Sequence, residues 1–181
     1  RRPSTEEASP NPQGVYAMSK LLGEWFACES RHYILRVESL FGGGLLHHAG
    51  APSRGSSLDR IADAILAGEE VRAFTDRTVT PSYVDDVVDA TLALLAAEAP
   101  NGLYHCVGSG MGTWMDVATR LAAELGRPAE IVPVQMSSLT MKAKRPQFCA
   151  LSNAKLRSVG ITMPTWEDAL SRYARARLAN A

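Results

Sequence analysis

Two residues of this sequence, Tyr16 and Lys20, have the types and the spacing needed to move a proton, in the pattern Tyr-x-x-x-Lys. On a helix, this spacing places a phenol and an ammonium on one face. A tyrosine with its reference pKa of about 10 is a poor acid or base at neutral pH, but a nearby cation favours the phenolate. The same spacing also suits an interfacial tyrosine beside a solvated lysine. The surrounding elements must therefore decide between the two interpretations.

The pair lies within a predicted amphipathic helix over about residues 13–30. Five apolar side chains recur there with a period near 3.6: Met18, Leu21, Leu22, Trp25 and Phe26. Residues 33–41 then form a short apolar run typical of a buried strand, which ends at the glycines 42–44. Residues 42–57 are rich in Gly, Ser, Ala and His, which predicts a loop.

The rest of the chain alternates between strand and helix patterns. Strands are predicted over 69–76, 103–108 and 129–134, and helices over 59–68, 114–126, 152–160 and 165–178. Residues 79–99 supply a proline-led entry and then a long helix. Three helices begin with capping-box spacing, at Ser56 with Asp59, Thr113 with Asp116 and Thr165 with Asp168. Such alternation predicts an α/β protein with a mostly parallel sheet covered by helices.

Composition excludes several classes of protein. Nineteen Lys and Arg balance nineteen Asp and Glu, so no overall charge attracts nucleic acid or an anionic membrane. The three cysteines are widely spaced, which argues against a disulfide framework and favours a reducing cytoplasm. No apolar run approaches the roughly 20 residues of a membrane span. Residues 1–14 have the composition of an exposed loop, so we expect a segment upstream.

Four stretches carry a family resemblance, in chain order: PNPQGVYAMSKLLGEWFA, ILRVESLFGG, TVTPSYVDDVVDATLALL and AKRPQFCALSNAKLRSVGI. The first three resemble segments of the extended short-chain dehydrogenase/reductase family: its catalytic helix, a strand that ends in Arg and a glycine turn, and the Pro-Ser-Tyr-Val-x-Asp-Val segment. The fourth resembles the Arg-Pro-x-x-x-x-Leu-x-x-x-Lys-Leu stretch of the dTDP-4-dehydrorhamnose reductase branch.

The resemblance implies the C-terminal part of a Rossmann-type, doubly wound parallel sheet with a small α/β substrate-binding region. Residues 1–41 would end the dinucleotide-binding domain, and residues 42–181 would form the substrate-binding region, with the last Rossmann elements at 83–107. No glycine-rich phosphate loop matches that of the family, so the cofactor-binding half is expected before Arg1. That half or a neighbouring chain, as in a homodimer, would pack on the face of Leu21, Trp25 and Phe26.

The resemblance also implies a reaction. NADPH or NADH would reduce a keto carbon of a nucleotide-linked sugar while Tyr16 donates a proton and Lys20 activates it and holds the cofactor ribose. Val37, Glu38 and Ser39, past a strand end, would lie near the nicotinamide. Val37 could equally pack in a core, whereas a carboxylate such as Glu38 beside a buried strand end needs a partner.

Substrate contacts are expected from Arg145, whose guanidinium suits a diphosphate, and from Pro81, Ser82 and Tyr83 at the edge of the sugar pocket. Tyr83 could instead cap the core. Asp86 is interpreted as a structural acid, and the charges of Arg172, Arg175 and Arg177 as solvated. Adjacent side chains point apart, so His47 and His48 are interpreted as loop residues and no metal site is expected.

Departures from the branch leave other functions open. Ser39 replaces a Trp at the strand end, while Cys149 and Ser152 stand where the Arg-Pro stretch has Ser and Asp. One alternative is an epimerase or dehydratase of the same family, with Tyr16 as a base. Another is a non-catalytic regulatory or binding relative. Net consumption of NADPH distinguishes a reductase from an epimerase.

Overall fold

The computed structural model describes residues 1–28, 32–42, 55–140 and 145–179. Most of the predicted loop over 42–57, including His47 and His48, lies outside these residues. Within them, six α-helices are found: α1 (Val15–Ala27), α2 (Ser57–Ala67), α3 (Val84–Ala96), α4 (Trp114–Leu125), α5 (Ala154–Ser158) and α6 (Trp166–Ala179). A short 3-10 helix covers Met136–Ser138.

The strands form four pairs in the described part of the chain rather than one continuous sheet. The strands are β1 (Tyr33–Arg36), β2 (Leu40–Phe41), β3 (Val71–Phe74), β4 (Thr78–Val79), β5 (Ser82–Tyr83), β6 (Gly102–His105), β7 (Gly112–Thr113) and β8 (Ile131–Val134). Strand β1 pairs with β6, β2 with β5 and β3 with β8, all parallel. Only β4 and β7 pair antiparallel, so the prediction of mostly parallel pairing is confirmed.

Side-chain caps explain where two of the helices begin. The Ser56 and Thr113 hydroxyls accept hydrogen bonds from the Asp59 and Asp116 backbone N–H groups, and both carboxylates bond back to the cap. Helices α2 and α4 then end at Gly68 and Gly126, both in the left-handed region.

The long helix predicted within residues 79–99 follows its proline-led entry. Residues 78–83 are extended and supply β4 and β5, and the helix begins only at Val84. Pro81 cannot donate a backbone hydrogen bond, and it disfavours a helical conformation at Thr80. The Thr80 N–H instead donates to Glu38 Oε2 at 2.8 Å.

The predicted strand over 33–41 is also divided. Strand β1 ends at Arg36 and β2 begins at Leu40, with a corner between them at Ser39, whose φ is 43°. A positive φ is strained for a residue with a Cβ. The corner redirects the chain so that β2 pairs with β5 while β1 pairs with β6.

Two apolar clusters form the core. The larger one joins α2, α4 and α6 to β3 and includes Phe41, Tyr83, Trp114 and Trp166. The smaller one packs α3 and α5 on the β1/β6 pair, around Leu94, Tyr104 and Leu156. Among the described residues, neither cluster includes a residue of α1.

Candidate functional site

Tyr16 and Lys20 lie one turn apart on the same side of α1. The Lys20 Nζ atom is 5.4 Å from the centroid of the Tyr16 ring. Tyr16 is 76% exposed, so its hydroxyl is accessible to a ligand. The structure thus brings the two residues together on a regular helix, as the spacing predicts.

The pair opens onto a cleft between α1 and β1, here called the first cleft, with a volume of about 920 Å³. Its walls are the proline-rich segment 10–12, the Tyr16 side of α1, and strand β1 together with Val37, which follows it. Arg36 reaches across one end, where its Nε and Nη2 atoms donate to the two oxygens of Glu24 at 2.8 and 2.7 Å. This bidentate bond raises the pKa of the Arg36 guanidinium.

Of the three residues predicted near a nicotinamide, only Val37 lines the first cleft. Glu38 turns toward the β4–β5 turn, where its Oε2 accepts the Thr80 N–H, and its Oε1 accepts the Ser39 hydroxyl at 2.6 Å. Burial raises the pKa of the Glu38 carboxyl, and these hydrogen bonds oppose the shift. Glu38 has the partners that a carboxylate at a buried strand end requires.

The predicted sugar-pocket residues are buried, and none of them lines the first cleft. The Ser82 hydroxyl donates to the Thr80 carbonyl and accepts the Gly108 N–H. The Tyr83 ring packs against Phe41 with 5.4 Å between centroids, and burial raises its pKa. Pro81 is buried with them. The interpretation of Tyr83 as part of the core describes its position better than a pocket edge does.

Tyr83 is also covered by Arg172, whose guanidinium carbon is 5.2 Å from the ring centroid. Arg172 donates to both oxygens of the buried Asp86 at 2.8 and 2.7 Å. Asp86 is therefore structural, as predicted, but the interpretation of Arg172 as a solvated charge is wrong. The contact requires helices α3 and α6 to meet, which local spacing does not reveal.

A second cleft of about 290 Å³ lies between α2 and β3. Three arginines line it, Arg60, Arg72 and Arg77, together with the aromatic side chains of Phe74 and Trp114. None of the described residues accepts a hydrogen bond from Arg77 Nε or Trp114 Nε1, although both atoms are buried. Sequence reasoning missed this group because its members come from different elements. Arg145 is exposed and lines neither cleft.

Glu38 follows Val37, which lines the first cleft, and the charge of Arg77, which lines the second, opposes the rise in the pKa of the Glu38 carboxyl.

The described residues do not offer a metal site or a membrane span. None of them form a group of three or more His, Cys, Asp or Glu side chains that could hold a metal ion. No helix within the described ranges is long and apolar enough to cross a bilayer.

The chain is similar to known proteins over most of its length. A dTDP-4-dehydrorhamnose reductase of Streptomyces griseus is 29% identical over 180 residues, covering 94% of this chain and 56% of that protein. The crystal structure of a Clostridium acetobutylicum dTDP-4-dehydrorhamnose reductase matches all of this chain and 61% of its own, with a TM-score of 0.85 and 24% identity. The Bacillus anthracis enzyme, solved in complex with NADP, covers 93% of this chain and 58% of its own, with a TM-score of 0.80 and 24% identity.

These structural likenesses confirm the predicted α/β, Rossmann-type fold. The chain spans a little over half the length of the curated relatives that it matches. The family model described as the RmlD substrate binding domain matches residues 1–178. Since that match covers almost the whole sequence, the chain belongs to the RmlD substrate binding domain family.

Proposed function

We propose that the complete protein is an NAD(P)H-dependent reductase of a nucleotide-linked 4-keto sugar, and that Tyr16 and Lys20 form its proton-transfer pair. The observation that carries the proposal is their common side of α1, which opens onto the first cleft with 5.4 Å between Lys20 Nζ and the Tyr16 ring centroid. A relative of similar sequence is a dTDP-4-dehydrorhamnose reductase.

The first cleft fits the nicotinamide end of a dinucleotide. The Lys20 ammonium supplies donors for ribose hydroxyls, and the accessible Tyr16 hydroxyl stands beside it. When bound, the reduced nicotinamide supplies the hydride. The Bacillus anthracis relative, whose fold this chain shares, was solved with NADP.

Tyr16 donates its hydroxyl proton to the sugar oxygen as negative charge develops on it. Lys20 stabilises the phenolate that remains, because an opposite charge nearby favours the ionised form. Val37 forms the apolar wall of the cleft on the side of β1. Glu38 and Ser39 act behind it by holding the β4–β5 turn in place.

The second cleft supports a diphosphate-linked substrate. Arg60, Arg72 and Arg77 provide positive charge for the phosphates, and Phe74 and Trp114 provide aromatic surface for a base. Arg145 would contact the diphosphate from the exposed side. Buried as they are, Pro81, Ser82 and Tyr83 would shape the sugar pocket from behind rather than touch the sugar.

The dinucleotide-binding portion would complete the first cleft. In the described part of the chain, β1 pairs on one edge only, which leaves backbone donors and acceptors for a further parallel strand. On the outside of α1, Trp25 is 60% and Phe26 is 76% exposed, and the relatives are longer than this chain. We propose that this portion extends the sheet at β1 and covers both side chains.

The direct test is an assay of the complete protein with NADPH and dTDP-4-keto sugars. Tyr16→Phe is expected to lower kcat by at least about a hundredfold, the usual contribution of a general acid. Lys20→Met is expected to lower both kcat and dinucleotide affinity, because Lys20 serves Tyr16 and the ribose. The matched controls are Tyr104→Phe, which changes a phenol bonded to the Pro100 carbonyl, and Lys155→Met on α5.

The outcomes separate the alternatives. NADPH oxidation no faster than in Tyr16→Phe would overturn the reductase proposal. Sugar conversion without net oxidation of NADPH would indicate an epimerase. Nucleotide-sugar binding with no turnover of any substrate would indicate a binding protein.

A further inference from the structure

Helix α1 carries the catalytic pair but has little apolar packing in the described structure. Leu21 is its only buried residue. Val15 is 89% exposed and Phe26 is 76% exposed. Among the described residues, apolar contacts therefore do little to fix the rotation of α1 about its axis.

The strongest described contact of α1 is the bond between Glu24 and Arg36. Both donor distances are below 3 Å, and the two side chains are only 20% and 23% exposed. A bidentate, charge-assisted pair is both strong and specific in its geometry. Partial burial protects it from much of the screening that weakens surface ion pairs.

Glu24 stands on the catalytic side of the helix. Tyr16, Lys20 and Glu24 follow one another at intervals of four residues. Since an α-helix has about 3.6 residues per turn, each interval departs from a full turn by only about 40°. A constraint on Glu24 therefore limits the direction in which Tyr16 and Lys20 point.

Arg36 offers a fixed partner, because it belongs to a paired strand. It is in register with His105 of β6, and its carbonyl accepts the Cys106 N–H at 2.9 Å. β6 in turn packs into the smaller apolar cluster. The guanidinium thus connects a weakly packed helix to a firmly held strand.

We infer that Glu24 and Arg36 are positioning residues, a clamp that sets the rotation of α1 and keeps Tyr16 and Lys20 facing the first cleft. The inference rests on the proposed function in that the clamped residues are the catalytic pair. Whether Glu24 and Arg36 hold α1 in place can be tested without measuring enzyme activity.

The first test measures amide hydrogen exchange in the complete protein, in peptides covering 15–27 and 114–125. Glu24→Gln and Arg36→Gln are each expected to speed exchange in α1 about tenfold, as the loss of a charge-assisted hydrogen bond would. The double variant should be no faster than either single variant, because both changes remove the same contact. Exchange in α4 should be unchanged.

Glu124→Gln is the matched control. It removes the Arg120–Glu124 pair, which has a 2.6 Å contact within α4, and should leave exchange in α1 unchanged. Three results would overturn the clamp: unchanged exchange in α1 of Glu24→Gln, equal acceleration in α1 and α4, or multiplied effects in the double variant.

The second test is the pH profile of kcat in the complete enzyme. A less constrained α1 would hold Lys20 less firmly beside Tyr16, so the alkaline limb of the Glu24→Gln profile should move to higher pH. The KM for the sugar should change little, and Glu24→Asp should recover part of the loss. If Glu24 only stabilised the fold, Glu24→Gln would lower kcat without shifting the alkaline limb of the pH profile.

The two proposals fail in different ways. If Tyr16→Phe abolishes turnover and Glu24→Gln leaves the profile unchanged, the clamp is wrong and the reductase proposal stands. If exchange in α1 responds as expected while Tyr16→Phe stays fully active, the clamp holds α1, but the pair it positions is not catalytic.

Discussion

Burial and hydrogen bonding act on the Glu38 carboxyl in opposite directions. Burial favours the neutral acid, whereas the bonds from the Ser39 hydroxyl and the Thr80 N–H favour the carboxylate. Burial prevails, so the pKa lies above its ordinary value of 4.5. An ionised Glu38 at neutral pH therefore lowers the stability of the fold while it orders the turn between β4 and β5.

The sign of this shift predicts a pH dependence. The folded protein binds a proton at Glu38 more readily than the unfolded chain, so the free energy of unfolding should fall as pH rises from about 4.5 through the folded pKa. Glu38→Gln should remove this decrease while keeping an acceptor for the Thr80 N–H. Chemical denaturation at several pH values measures the free energy of unfolding and hence its slope with pH. Equal slopes in the variant and the parent would contradict the prediction.

Among the elements, β6 and the N-terminal segment are joined through His105. Its backbone N–H donates to Glu6 Oε1 at 2.8 Å, while Ser4 exchanges backbone hydrogen bonds with Ala150 and Ser152. The buried ring places Nδ1 3.2 Å from the Ser152 carbonyl, which can only accept, so Nδ1 carries the proton. The bond from the His105 N–H to Glu6 and the backbone bonds of Ser4 hold the segment that leads into the first cleft.

Burial lowers the pKa of His105 below its ordinary value of 6.5, although Glu6 opposes the shift. The unfolded chain therefore binds this proton first as pH falls. We expect the free energy of unfolding to decrease as the pH falls from about 6.5 to the folded pKa of His105. Above about pH 6.5, His105 should have no effect on it. His105→Gln should flatten this slope in denaturation curves between pH 5 and 7.5. A slope that survives the substitution would assign it to another group.

Periodicity predicted the helix that follows Pro81, but not how the entry to that helix pairs. Strand β4 of this entry pairs with β7, and β5 pairs with β2. The entry is held by the Glu38 bond to Thr80 and by the parallel register of Ser82 with Leu40. These partners lie about forty residues away in sequence, so no local pattern records them.

At the scale of the molecule, the exposed apolar side chains of the described residues lie mainly on two helices. On α1, Trp25 and Phe26 are exposed, and on α3 Leu92 is 59% and Leu95 is 55% exposed. Exposed apolar surface of this extent marks an interaction site. Since β1 has an open edge in the described part of the chain, the surface fits the further sheet portion proposed above.

This arrangement predicts how the complete protein responds to Trp25→Ala. If the dinucleotide-binding portion covers α1, the substitution should lower the free energy of unfolding by about 3 kcal/mol, as for a buried Trp. If Trp25 stays exposed, the loss should be within about 0.5 kcal/mol. Leu178→Ala, at an exposed position of α6, is the control and should cost little.

The outcome is read from chemical denaturation at two protein concentrations. A loss of about 3 kcal/mol that does not depend on concentration supports coverage within the complete protein. A loss that shrinks on dilution would show that a second copy covers the face, as in a homodimer, because the diluted parent loses the same contact. A loss within about 0.5 kcal/mol would contradict both.

Local patterns along the chain are enough to predict the α/β class, the helix that carries Tyr16 and Lys20, and the caps at Ser56 and Thr113. Each depends on neighbours within one turn or on a period repeated along one element, so the chain records it locally. Family resemblance added the order of the segments.

Which side chains meet is a property of the tertiary structure. It paired Glu24 with Arg36, turned Glu38 away from the first cleft, buried Ser82 and Tyr83, and gathered the arginines of the second cleft. These contacts join elements that are remote in sequence. Their formation depends on strand register and helix packing, which follow from the fold as a whole rather than from any local spacing.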